Sequence, residues 1–167
     1  MNGTHRKLDD GRHEVRFERH LNHPIDRVWA AITEPSEIEA WLARAELEPR
    51  PGGRVRLEWL NTGDEEIVAR GTVAAIDPPR LLELDTDAHG SLRWELAPAG
   101  DATHLTFTAT LDMPDEHVTE NVAGWHVHLD FFEDWLDDGT RVDWPHWPRE
   151  RWDAIHERYA ASMRPIS

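Results

Sequence analysis

Pro114-Asp-Glu-His-Val118-Thr-Glu-Asn-Val122-Ala-Gly124-Trp125-His126-Val-His128-Leu129-Asp130-Phe131-Phe132-Glu133-Asp-Trp135-Leu136-Asp137-Asp138-Gly139 is the stretch around which the rest of the chain is read. At about 100° per residue, Val118, Val122, Trp125, Leu129, Phe132 and Leu136 fall in one narrow apolar stripe, which predicts a helix lying along an apolar surface. Gly139 supplies a natural stop, because glycine adopts the left-handed conformation of a helix C-cap without a Cβ penalty. His126, Asp130, Glu133 and Asp137 share one flank, which reads as an acidic, solvated face. Gly124, His128, Phe131 and Trp135 share the other, beside the stripe, so this flank is expected to be partly covered.

Working back from the helix, residues 43–111 change to period-two alternation. Val55, Leu57 and Trp59, then Leu92, Trp94 and Leu96, then Leu105, Phe107, Ala109 and Leu111 each put apolar residues on one face. Turn signals at Pro51-Gly52-Gly53, Asn61-Thr62-Gly63, Asp77-Pro78-Pro79, His89-Gly90 and Pro98-Ala99-Gly100-Asp101 separate six strands of an antiparallel meander. A seventh strand begins near His13, where Val15 and Phe17 alternate with charged residues. Two short helices follow it, one opened by Pro24 with Val28, Trp29 and Ile32 at helical spacing, the other carrying Ile38, Trp41 and Leu42. The expected class is α+β, a seven-stranded curved sheet holding the long helix. Residues 1–12 lack periodicity and read as a flexible arm, residues 13–138 as the domain, and residues 139–167 as an extension. That extension is rich in tryptophan, with Trp152, Ile155, Tyr159 and Met163 on one face of a further helix, and is expected to dock on the domain or on a second subunit as a homodimer.

Composition narrows the partners. With 33 acidic against 18 basic residues the formal net charge is -15 at pH 7, and such a surface repels phosphate backbones and anionic headgroups, so neither nucleic acid nor membrane is expected. No apolar run approaches the roughly 20 residues of a membrane-spanning helix, and a cytoplasmic location is the expectation. Lys7 is the single lysine beside 17 arginines, a bias that fits a GC-rich genome or adaptation to high salt. The absence of cysteine removes disulfides, thiolate nucleophiles and cysteine zinc sites.

Few residues offer chemistry. His126 and His128 point about 200° apart on a helix and cannot share a metal, and His126 with Asp130 sits on the flank read as solvent; no metal and no cofactor is expected. The four serines lie outside any nucleophile-elbow turn, and no glycine-rich loop opens a helix to hold a nucleotide. Nine tryptophans remain, of which Trp41, Trp59, Trp94 and Trp125 lie on inward faces where core packing and pocket lining are both open. His128 flanks the stripe, and desolvation there should keep its ring neutral. His126, read as wet and close to carboxylates, should instead titrate high.

His23-Pro24-Ile25-Asp26-Arg27-Val28-Trp29 leading to Trp41, Gly71-Thr72-Val73 with Asp77-Pro78-Pro79-Arg80-Leu81, Trp94-Glu95-Leu96, and Gly124-Trp125 with Leu129 occur in an order and at separations that resemble one family. It is the activator of heat-shock protein 90 ATPase-like branch of the START-related, Bet v-like (SRPBCC) helix-grip superfamily. The resemblance covers about residues 13–137 and implies a bent sheet gripping the last helix around a cavity. By that analogy the cavity is lined by Trp41, Trp59, Trp94, Trp125 and His128 and holds a small hydrophobic or aromatic molecule. The family has no universal catalytic residues, so binding is expected ahead of enzymatic activity. A polyketide cyclase or aromatase-like reaction and a chaperone-associated interaction module are the alternatives that the resemblance implies.

Overall fold

In a computed structural model, which describes residues 2–163, a single antiparallel sheet grips a long helix. Met1 of the expected arm and residues 164–167 of the expected extension lie outside the described residues. The elements run β1 (Thr4–Lys7), β2 (His13–Leu21), α1 (Ile25–Thr33), α2 (Pro35–Trp41), β3 (Arg44–Leu47), β4 (Arg54–Glu58), β5 (Val68–Asp77), β6 (Leu81–Thr86), β7 (Gly90–Ala99), β8 (Ala102–Leu111), α3 (Val118–Asp138) and α4 (Arg149–Ser162). The sheet order is β1-β2-β8-β7-β6-β5-β4-β3.

The sheet has eight strands among the described residues, one more than expected, because part of the segment read as an arm pairs with β2 from Thr4↔Arg16 to Lys7↔His13. No apolar alternation marks β1, since it is an edge strand with no buried residue, held by backbone pairing and by polar contacts of His5, Arg6 and Lys7 with His13, Glu14 and Asp115. The other seven strands and their five corners fall where the turn signals place them. β2 alternates buried and non-buried residues throughout, and its inward face includes the charged Arg19. Gly71 lies where β5 and β6 approach closely: a Cβ there would sit 1.8 Å from the carbonyl oxygen of Asp85, so only glycine fits. The register of these two strands shifts between Val73 and Ala75, just beyond it.

α3 starts at Val118, after a short 3-10 turn at Asp115–His117, and ends at Gly139 with φ of 73°. All six residues of its apolar stripe are buried. α1 and α2 bury Val28, Ile32, Ile38 and Trp41, and the Trp41 indole donates to the carbonyl of Ala31 at 3.0 Å, tying the two helices together. Beyond Gly139 the chain turns back over its own domain. The Val142 amide donates to the Ala40 carbonyl at 2.9 Å, the Trp144 indole donates to the Glu39 carbonyl at 2.8 Å, and α4 buries Ile155 and Tyr159 against α3.

Candidate ligand cavity

The sheet curves more than one helix can fill, and a cavity of about 500 Å³, open to solvent on one side, remains beside the N-terminal half of α3. Trp59 and Ile67, at the facing ends of β4 and β5, form one wall. Trp125 and Gly124 of α3 form another, Leu111 and Met113 close the β8 side, and Trp152 reaches over from α4. The Trp59 and Trp125 rings meet edge to face, 5.9 Å apart and at 79°, so they bound the space with two apolar surfaces nearly at right angles. Gly124 is what leaves room on the helix side: a Cβ built there meets nothing within 4 Å. Glycine inside a helix costs roughly 1 kcal/mol relative to alanine, and here it stands on the face that borders the empty volume.

Of the five residues expected to line the cavity, Trp59, Trp125 and His128 do so, whereas Trp41 and Trp94 do not. Trp41 is 1 % exposed and packs on Phe132, its ring centroid 4.5 Å away, because α2 presses it against the C-terminal half of α3 where no space is left. Trp94 lies on β7 in the middle of the sheet and packs on Phe107, 5.1 Å away; its indole N–H finds no acceptor among the described residues. Eleven lining residues were not expected there, and four of them show why. His89 reads as half of a turn signal, Asn121 carries no pattern, Gly124 reads only as a position on a flank, and Trp152 belongs to the appended helix.

His128 sits at the junction of cavity and core. Its Nδ1 donates to the Trp41 carbonyl at 3.0 Å, and because a carbonyl can only accept, this fixes the tautomer and leaves Nε2 with the lone pair. Burial pushes its pKa down to about 4, partly countered by that hydrogen bond. His89 is also pushed down, by desolvation first, so both imidazoles beside Trp59 are neutral at pH 7.

The acidic flank of α3 departs from expectation. His126 is 4 % exposed and not wet: Tyr159 of α4 covers it, with the phenol oxygen 2.6 Å from Nδ1, and the backbone N–H of Gly3 donates to the same oxygen at 2.7 Å. Burial outweighs the nearby Asp130 carboxylate and lowers the His126 pKa to about 4, opposite in sign to the expectation. Arg19, 5 % exposed on β2, pairs with Asp130 at 2.8 Å and Glu133 at 3.1 Å, and His23 meets Asp137 at 2.7 Å. Asp130 and Glu133 therefore face a counter-charge on Arg19 of β2, a pairing that a helix periodicity cannot reveal, while Asp137 stays exposed. Among the described residues no three His, Cys, Asp or Glu side chains are grouped closely enough to hold a metal ion, and no helix is long and apolar enough to cross a membrane.

Residues 22–137 match the family model described as activator of Hsp90 ATPase homolog 1-like protein. The chain belongs to this family. The chain is similar in structure to the protein encoded by BPP1335 from Bordetella parapertussis, with 28% identity, TM-score 0.70, and 99% of this chain and 92% of that one covered. It shares its fold with CalU16 from Micromonospora echinospora at 21% identity and TM-score 0.73, over 96% of this chain and 90% of the other. It also shares the fold of DynU16, described as a protein of the dynemicin biosynthetic locus, at 24% identity and TM-score 0.65, over 78% of this chain and 50% of that one. No curated protein matches the chain in sequence. The first two likenesses extend past the family match into the segment after Gly139, which is thus not peculiar to this chain within the fold.

Proposed function

We propose that this protein binds a small hydrophobic, ring-containing molecule in the cavity between the sheet and the N-terminal half of α3. The observation that carries the reading is the cavity itself: about 500 Å³ of largely apolar space, within the range of small-molecule sites. Its walls combine Trp59, Ile67, Leu111, Met113, Trp125 and Trp152 with a few polar groups, the makeup of a small-molecule site. Gly124 supports the same reading, because a Cβ there would project into open space and meet no atom within 4 Å.

The test uses native mass spectrometry of freshly purified protein for a co-purified compound, then calorimetry with naphthalene-type probes. Wild-type protein should bind such probes, and Gly124→Phe should abolish binding while melting at the same temperature or higher, since it removes a helix-interior glycine and fills a void. If the wild type binds no apolar probe and carries no compound, or if Gly124→Phe binds as well as the wild type, the cavity is not a ligand site.

A second reading, acid-base catalysis on the bound molecule in the manner of a cyclase, is favoured by one observation. His128 lines the cavity, and with Nδ1 donating to the Trp41 carbonyl its Nε2 keeps a free lone pair that can accept a proton. Turnover of a co-purified compound that disappears in His128→Asn would support it.

A further inference from the structure

The walls of the cavity discriminate on charge. Among the described residues, no lysine or arginine lines it, and Glu120 is the single carboxylate. Glu120 is on the exposed side, 3.5 Å from the ring of His117, so a positive charge gained by His117 already faces a carboxylate. Nε1 of Trp59, Nε2 of His89 and Oδ1 of Asn121 are buried side-chain atoms around the cavity without a partner among the described residues, and none of them carries a charge. An anion entering here would lose its hydration without gaining a counter-charge, which is the costly way to bury an ion. A neutral molecule meets no such penalty.

The geometry of His128 adds a polar requirement. Its Nδ1–H is committed to the Trp41 carbonyl, so the one hydrogen-bonding function left on the ring is the acceptor Nε2, on a residue that is 6 % exposed and lines the cavity. The Trp59 ring stands 5.5 Å from the His128 ring, centroid to centroid, and the Trp125 ring 6.4 Å, so the imidazole borders the same space as two aromatic walls. A purely apolar ligand would leave Nε2 shielded from water and unpaired, whereas a hydroxyl on a ring would satisfy it. We infer that the cavity selects an uncharged aromatic molecule bearing a hydroxyl group, which donates its proton in a hydrogen bond to Nε2 of His128. This rests on the cavity being the ligand site.

Four probes of one size separate the possibilities: naphthalene, naphthol, naphthoate and a naphthylmethyl-trimethylammonium ion, measured by calorimetry at neutral pH. Naphthol should bind at least about tenfold more tightly than naphthoate, the scale set by one unpaired buried polar group or charge. Nitrogen NMR of the wild-type protein should show the His128 Nε2 resonance moving with naphthol and staying in place with naphthalene. His128→Asn keeps a donor for the Trp41 carbonyl but its shorter side chain puts no acceptor at the Nε2 position, so it should lose about tenfold of the preference for naphthol over naphthalene; His128→Gln, whose amide oxygen reaches that position, should recover it. Naphthoate binding as tightly as naphthol, tightest binding of the cationic probe, or an unmoved Nε2 resonance would each overturn the inference while leaving the cavity a binding site. Failure of all four probes, naphthalene included, would instead overturn the binding reading and this inference with it.

Discussion

At the residue scale, two histidines separated by one position on α3 reach the same electrostatic state by different routes. His128 is enclosed by Trp41, Trp59 and Phe131 of the domain together with Trp144 just after Gly139, and His126 is enclosed by the appended helix through Tyr159. Both have folded-state pKa values of about 4 against an ordinary 6.5. The consequence for stability has a definite sign. Between pH 6.5 and about 4 the unfolded chain binds protons on these rings and the folded protein does not, so stability is full above 6.5 and falls as pH drops toward 4. For His128 the loss is on the order of 3 kcal/mol, from a shift of two to three pK units. Urea denaturation of wild type and His128→Gln near neutral pH and near pH 4.5 should show the variant losing about one proton's worth of that dependence. Identical pH slopes for the two proteins would mean that His128 is not held neutral by the fold.

At the element scale, α4 serves as a cover more than as an independent unit. Its mean character is polar, yet Ile155 and Tyr159 are 6 % and 3 % exposed, and the Tyr159 hydroxyl joins α3 to the backbone of Gly3 just ahead of β1. Three separated parts of the chain thus meet at one oxygen. Burial of two large side chains is worth roughly 3 to 6 kcal/mol before the entropy of ordering the helix is subtracted. A chain ending at Gly139 should therefore denature at lower urea, and His126, stripped of its cover, should titrate closer to 6.5 in proton NMR. Tyr159→Phe keeps the helix and removes only the shared hydroxyl, and should cost about 1 to 3 kcal/mol, because the Gly3 amide and the His126 ring both lose a partner. Unchanged stability in both variants would leave α4 as an ornament on the surface.

For the whole molecule, the dominant long-range term is the net charge of -15. Ion pairs on the surface oppose it locally, but an exposed pair contributes only about 0 to 1 kcal/mol, and salt weakens pair attraction and net repulsion together. The best-shielded pairing, Arg19 with Asp130 and Glu133, is the one salt affects least, since Arg19 is 5 % exposed. Repulsion among unpaired carboxylates should then prevail, and raising sodium chloride from low concentration to about 0.5 M, where the Debye length is only a few ångströms, should raise the melting temperature by several degrees. A fall in calorimetric melting temperature over that range would show that attractive pairs outweigh the repulsion.

What the sequence determined by itself is what depends on near neighbours in the chain. The stripe from Val118 to Leu136, the alternation of Leu92, Trp94 and Leu96, the five turn signals and the cap at Gly139 are all local periodicities or local backbone demands, and each appears in the fold at its expected place. The family pattern draws on the same residues. Tertiary structure alone decided the rest. An inward-facing tryptophan has one local signature whether it meets atoms or empty space, so Trp41 against Phe132 and Trp59 beside the cavity could not be told apart. The burial of His126 comes from Tyr159, 33 residues on, and the counter-charge on Asp130 from Arg19, 111 residues back. β1 has no apolar face to read and exists through backbone pairing and polar contacts with β2. A cavity is the volume left over when distant elements pack, and no single segment of the chain encodes it.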